Sequence, residues 1–258
     1  MTDDLIMGGR QFKSRLILGT GRHRTNDQMV SSIEASGAGM VTVAIRRLDL
    51  DNPDKKNILD YIDWTKYLLL PNTAGAKTYE DAIFVAHLAR EMGLPNWVKV
   101  EVIPDSTYLL PDPIGTLRAA EILVKDGFIV LPYIHADPVL AKQLEEVGCA
   151  AVMPLGSAIG SGQGIHTLEE IDIIIEQAKV PVIVDAGLGV PSDAAIAMEH
   201  GADGVLVNTG IAQAQDPDLM ALAFKLGVSA GRKAYQAGRI GKKLYAVPSS
   251  PLEDVVGT

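Results

Sequence analysis

A single cysteine, Cys149, in 258 residues removes two classes of protein at once. One thiol can build neither an intrachain disulfide nor a cysteine-based zinc site, which fits a reducing compartment. Basic residues are scarce beside acidic ones, 23 against 32, for a formal net charge of −9. That balance gives phosphate backbones and anionic lipid no broad attraction, so nucleic acid is not an expected partner. No apolar run approaches the roughly 18 residues needed to span a bilayer, and Met1-Thr2-Asp3-Asp4 is acidic where a secretion signal is basic. We expect a cytoplasmic protein without membrane association. His23, His87, His135, His166 and His200 are scattered, with no His-x-x-x-His helix and no clustered carboxylates, so no metal site is expected.

What is present is an alternation. Eight short runs rich in Val, Ile and Leu begin at Arg15, Met40, Tyr67, Trp97, Phe128, Ala150, Pro181 and Gly204, each followed by turn residues and then by helical periodicity. Their starts lie about 22 to 31 residues apart, the length of one βα unit. Thr78 with Asp81 reads as a capping box and Gly93 as the end of that helix; Asp112-Pro113, Asp137-Pro138 and Asp216-Pro217 each set an N-cap before a first-turn proline. Several runs are apolar on consecutive residues, as buried parallel strands are. Eight such units predict a single α/β domain over residues 1–258, a (β/α)8 TIM barrel. A doubly wound dinucleotide fold fits less well, because Gly19-Thr20-Gly21 lacks the third glycine of that fingerprint. Residues 1–13, turning at Gly8-Gly9, predict a β-hairpin over the barrel bottom, and residues 245–258 a loosely held tail.

In such a barrel the chemistry sits at the carboxyl ends of the strands. The fourth run, Trp97-Val98-Lys99-Val100-Glu101-Val102-Ile103, alternates so that its valines face the helices while Lys99 and Glu101 face the lumen. A buried charged pair is costly to desolvate. It is either a structural ion pair or a catalytic lysine that attacks a carbonyl and forms a Schiff base. At the ordinary lysine pKa of about 10.4 only about 10⁻³ of the amine is neutral at pH 7. The site must therefore lower that value or remove the proton locally, and the sequence leaves open which. Asp185 ends the seventh strand, where it is either a loop cap or a general acid/base. Gly187-Leu188-Gly189 and Asn208-Thr209-Gly210 follow strands seven and eight; they either make turns or form a phosphate cradle of backbone N–H groups. Loop six, Gly156 to Gly164, is glycine-rich enough for its backbone to approach a ligand, and the long charged loop from Arg46 to Asn57 suits a lid or a docking segment as well as plain solvated surface. Cys149 reads as a small buried hydrophobe.

Together these segments resemble the thiazole synthase family of bacterial thiamine biosynthesis. The likeness runs from Gly8-Gly9 to Ser249-Ser250-Pro251 and rests on Ser14 to Gly21, Leu70 to Gly75, Val98 to Ile103, Leu109 to Pro113, Gly160 to Gly164, Asp185-Ala186-Gly187 and Asn208-Thr209. It implies a sulfur-transferring transferase in which Lys99 forms an imine with the ketone of 1-deoxy-D-xylulose 5-phosphate. Glu101 and Asp185 would be acid/base groups, and Gly160, Ala186, Gly187, Asn208 and Thr209 would hold the substrate phosphate. Dehydroglycine would complete the ring, and a thiocarboxylated sulfur carrier protein would supply sulfur, docking near the loop after strand two. No metal or organic cofactor is implied. Arg22-His23-Arg24 and Trp97 receive no role, and a homo-oligomer is the default expectation. The competing readings are a class I aldolase-like phosphosugar enzyme and a non-catalytic phosphosugar-binding regulatory barrel.

Overall fold

The computed structural model describes residues 3–48 and 56–249. Most of the 46–57 loop and the last nine residues of the expected 245–258 tail lie outside the described residues. The chain opens with an antiparallel hairpin, β1 (Leu5–Met7) and β2 (Arg10–Phe12), in which Leu5 pairs with Phe12. Gly8 and Gly9 both take positive φ, 54° and 75°, the requirement that a two-residue hairpin turn places on its central pair.

Eight parallel strands follow: β3 (Leu16–Gly19), β4 (Met40–Ala44), β5 (Leu68–Asn72), β6 (Trp97–Val100), β7 (Ile129–Ile134), β8 (Met153–Pro154), β9 (Ile183–Asp185) and β10 (Gly204–Val207). They run in sequence order from β3 to β8, and β10 pairs with both β3 and β9. Bridges between Val152 and Val182 and between Leu155 and Asp185 join β8 to β9 and close the ring. The expected α/β TIM barrel is therefore the observed architecture. Strands β8 and β9 begin later than their apolar runs suggest, because Val152 and Val182 just before them pair only through an isolated bridge.

Between the strands lie α1 (Asn26–Ser36), α2 (Tyr79–Glu91), α3 (Pro113–Lys125), α4 (Pro138–Glu146), α5 (Leu168–Gln177) and α6 (Pro191–Glu199), and after the last strand come the short α7 (Thr209–Ala212) and α8 (Pro217–Ala237). The Asp-Pro starts behave as read: Asp112, Asp137 and Asp216 each accept an N–H from the first turn. Thr78 accepts from Asp81, but the Asp81 carboxylate reaches back to Lys77 instead of closing the box on Thr78. No helix among the described residues is long and apolar enough to cross a membrane.

Side-chain alternation divides each strand between two environments. Val98, Val100 and Val102 join the core between barrel and helices. Inward residues fill the lumen in layers. The floor gathers Leu5, Met7 and Phe12 of the hairpin with Ile17, Met40, Leu68, Trp97 and others from the strands. Trp97 stands edge-on to Phe12, with ring centroids 6.0 Å apart, and so seals the hairpin to the barrel. Truncating it to alanine would cost about 3–5 kcal/mol. The hairpin approach is also tied electrostatically: Asp3 accepts from Arg15 at 2.9 Å and from Arg232 of α8 at 2.7 Å. Above the floor come Lys99, Tyr133 and Asp185, all buried, and above them the lumen opens.

Candidate active site

Strand β6 carries Lys99 inward, and Glu101 follows just past the strand end. Strand β9 ends on Asp185. These residues, 86 positions apart at the extremes, converge: Lys99 Nζ lies 2.6 Å from Asp185 Oδ2 and 3.0 Å from Glu101 Oε1. All three are buried, with side-chain exposures of 6%, 4% and 8%. The ring of Tyr133, on β7, faces the amine with its centroid 5.2 Å from Nζ. Two carboxylates and one ammonium make a cluster of formal charge −1, buried in the lumen.

The electrostatics decide what the sequence leaves open. Burial pulls the Lys99 pKa down, but Asp185 and then Glu101 outweigh it, so the amine sits above the ordinary lysine value and rests as an ammonium. Asp185 is pushed up by burial, a shift only partly opposed by the charge of Lys99. The carboxylate oxygen nearest to that ammonium is Asp185 Oδ2, at 2.6 Å.

Above this cluster opens a cavity of about 790 Å³, lined by Lys99, Glu101 and Asp185 at its base. Each residue of the expected phosphate cradle also lines it: Gly160, Ala186, Gly187, Asn208 and Thr209. Ala186 and Gly187 take consecutive left-handed conformations, φ 69° and 82°. For alanine that is strained backbone, the kind held in place at functional sites by surrounding structure. Here the carbonyls of Asp185, Ala186 and Gly187 accept from Gly156 and Gly164 of loop six at 2.9–3.3 Å. A Cβ on Gly187 would overlap the Ser157 hydroxyl. With its amide turned to satisfy both partners, Asn208 donates to the carbonyls of Gly21 at 2.7 Å and Gly19 at 3.2 Å, tying the last barrel strand to the first. Loop six contributes Gly160, Ser161 and Gly162 to the wall, and Gly162 and Gly189 meet backbone to backbone.

The family model described as "Thiazole biosynthesis protein ThiG" matches residues 6–251. The chain belongs to that family. A thiazole synthase of Geobacter metallireducens is 58% identical over 254 residues, covering 98% of both chains. One of Acaryochloris marina is 60% identical over 257 residues, covering 97% of this chain and 94% of its own. Among solved structures, a chain of the Amycolatopsis orientalis BexX/CysO complex superposes with a TM-score of 0.83 at 32% identity, covering 93% of this chain and 98% of its own. The family match spans nearly the whole chain, not an isolated motif, and like these thiazole synthases the chain is an enzyme.

Sequence reasoning overlooked several groups at the ThiG-family site. Tyr133 was open to detection, since it alternates with lumen-facing Leu131 along β7. Asn72, Lys77 and Ser106 line the cavity wall opposite the cradle, at the ends of the third and fourth barrel strands, where the strand-end argument also points. Trp97 is a floor residue and is not among those that line the cavity. Cys149 is buried, and burial alone pushes its thiol up to about 12, consistent with a packing role. Among the described residues no group of three or more His, Cys, Asp or Glu could hold a metal ion.

Proposed function

We propose that the thiazole-forming activity of the family runs in this cavity through an imine on Lys99. The observation that carries the reading is the Lys99 amine, buried between Asp185 and Glu101 at the base of a cavity whose far wall is glycine-rich backbone. 1-Deoxy-D-xylulose 5-phosphate would lie with its phosphate on Gly160, Ala186-Gly187 and Asn208-Thr209 and its ketone at the amine. Lys99 passes a proton to Asp185, and the freed amine adds to the ketone carbon. A carboxylic acid returns a proton to the carbinol oxygen, which leaves as water, and the protonated imine remains. That cation is an electron sink, so the neighbouring carbon loses its proton to a carboxylate and the ketone migrates along the sugar. Burial supports this order, because a lumen of low dielectric favours transfer within the cluster over exchange with solvent.

Dehydroglycine would supply the nitrogen and remaining carbons of the ring. Sulfur would come from a thiocarboxylated carrier protein whose tail enters from the strand-end face; the BexX/CysO assembly, formed by a structural relative, supports a protein partner for this chain. The deciding experiment mixes the enzyme, the ketose phosphate and dehydroglycine with and without a thiocarboxylate-charged carrier. Carrier-dependent sulfur incorporation into a thiazole phosphate supports the reading. Release of a small aldehyde would favour an aldolase, and ligand binding without any product would favour a regulatory barrel.

A further inference from the structure

The segment Leu70 to Gly75 stands among the resemblance motifs, yet the proposed chemistry gives it no task. Strand β5 ends at Asn72, which pairs with Lys99 of β6. Thr73 continues that pairing by donating its N–H to the Lys99 carbonyl at 3.1 Å. Beyond this point the side chain of Thr73 takes over. Its hydroxyl oxygen accepts the Glu101 N–H at 2.8 Å and donates to the Glu101 carbonyl at 2.8 Å. One oxygen therefore satisfies both main-chain groups of the residue that bears the carboxylate. Thr73 is fully buried, so no solvent competes for either bond. Farther along, Ile103 N–H donates to the Ala76 carbonyl at 2.8 Å and holds the two chains together.

We propose that Thr73 is a positioning residue that fixes the Glu101 carboxylate against the Lys99 amine by gripping both sides of the Glu101 backbone. A strand ends at Val100, so ordinary ladder bonds no longer orient Glu101. A freely rotating backbone there would let the carboxylate leave the 3.0 Å contact with Nζ. The hydroxyl restores the restraint while leaving the Glu101 side chain free to face the lumen. The β-branched shape of threonine adds to this by limiting its own rotamers. The comparable hydroxyl at the end of the first barrel strand, Thr20, donates only to the Thr42 carbonyl at 2.8 Å. The Ser14 hydroxyl also meets both main-chain groups of one residue, Leu16, but at 3.3 and 3.4 Å and only two positions away, whereas the Thr73 grip is tighter and joins two strands.

The inference rests on the imine reading for its kinetic consequence, so its test has a part independent of turnover. Thr73→Val keeps the shape and removes the grip; Thr73→Ser keeps the hydroxyl. In Thr73→Val, kcat should fall about 10- to 100-fold with KM for the ketose phosphate within about threefold, and the pH–rate profile should move; Thr73→Ser should recover kcat to within about threefold of the native enzyme. Separately, ¹³C NMR of ligand-free protein at a fixed pH should record displaced Glu101 carboxyl and carbonyl chemical shifts in Thr73→Val and native ones in Thr73→Ser. Native kcat, pH profile and Glu101 chemical shifts in a folded Thr73→Val protein would overturn the proposal. Should Thr73→Val not fold, Thr73→Ala is measured the same way; if neither folds, the residue acts on the whole barrel and the positioning role is overturned as well. A native enzyme that makes no thiazole would refute the functional reading alone, and the NMR comparison would still decide the role of Thr73.

Discussion

Asp185 Oδ2 and Lys99 Nζ stand 2.6 Å apart, closer than Glu101 Oε1 at 3.0 Å from the same amine. The two partners respond to burial in opposite senses. Burial alone would neutralise both, yet the pairing holds Lys99 above its usual value while Asp185 remains raised. At that distance the Asp185 carboxylate is the base best placed to take a proton from the Lys99 ammonium when the imine of the proposed reaction forms.

Lys99→Ala leaves Asp185 and Glu101 buried without their cation. Removing one partner from a buried pair costs about 3–5 kcal/mol, so thermal unfolding at pH 7 should occur well below that of the native protein. Carboxylates with raised folded pKa values bind more protons in the folded chain than in the unfolded one, so stability falls as pH rises through the window between those values. The deficit of Lys99→Ala should therefore shrink as pH is lowered toward the ordinary carboxylate range. A deficit independent of pH would contradict the geometry.

The hydroxyl of Tyr133 is fully buried and has no partner among the described residues, whereas its ring faces Lys99. Tyr133→Phe removes a group that makes no hydrogen bond, so stability should change by less than about 1 kcal/mol and imine formation should persist. Tyr133→Leu loses the cation–π contact, worth about 0.5–2 kcal/mol, and should be the poorer of the two in both stability and trapping rate. Equal behaviour of the two variants would remove the ring from the account.

Gly187 combines a φ of 82° with no room for a Cβ beside Ser157. Gly187→Ala should raise KM for the ketose phosphate by about tenfold or more, a loss of roughly 1.4 kcal/mol of binding, with less effect on trapping at saturating substrate. Isothermal titration with the phosphosugar reads this directly; native affinity would place the phosphate elsewhere.

Asp3 is held below the usual carboxylate range, first by its hydrogen bond from Arg232, with the charges of Arg15 and Arg232 adding to it. A depressed folded pKa gives stability that is present above the unfolded value and lost as pH falls through the folded one. Acid unfolding should thus begin by freeing the hairpin approach, and Asp3→Asn should unfold earlier at neutral pH with a weaker dependence as pH falls below the ordinary aspartate range. An unchanged acid transition would mean that the Arg15 and Arg232 contacts contribute nothing.

The barrel was legible because each strand announces itself locally. Apolar runs followed by glycine or Asp-Pro caps mark the βα units, and the alternation across Trp97 to Val102 alone puts Lys99 in the lumen. The meeting of Lys99 with Asp185 was not legible as a contact. It exists because β8 joins β9 and the ring closes, which no local pattern records. For the same reason the sequence could not say whether burial or the carboxylates govern the amine; only the 2.6 and 3.0 Å distances do. Thr73 escaped notice because its hydroxyl acts on the main chain of a residue 28 positions away. The start of α6 carries no polar N-cap side chain, since Val190 stands there; Asp193 three residues on reaches back to the N–H groups of Gly189 and Val190 instead. The expected carrier-docking loop falls mostly on residues outside the described ones.

Borohydride reduction in the presence of 1-deoxy-D-xylulose 5-phosphate tests the central claim most directly. Peptide mapping by mass spectrometry should find the reduced sugar phosphate on the peptide containing Lys99, with no adduct in Lys99→Ala. An unmodified Lys99 peptide at saturating substrate, or an adduct that survives in Lys99→Ala, would contradict it.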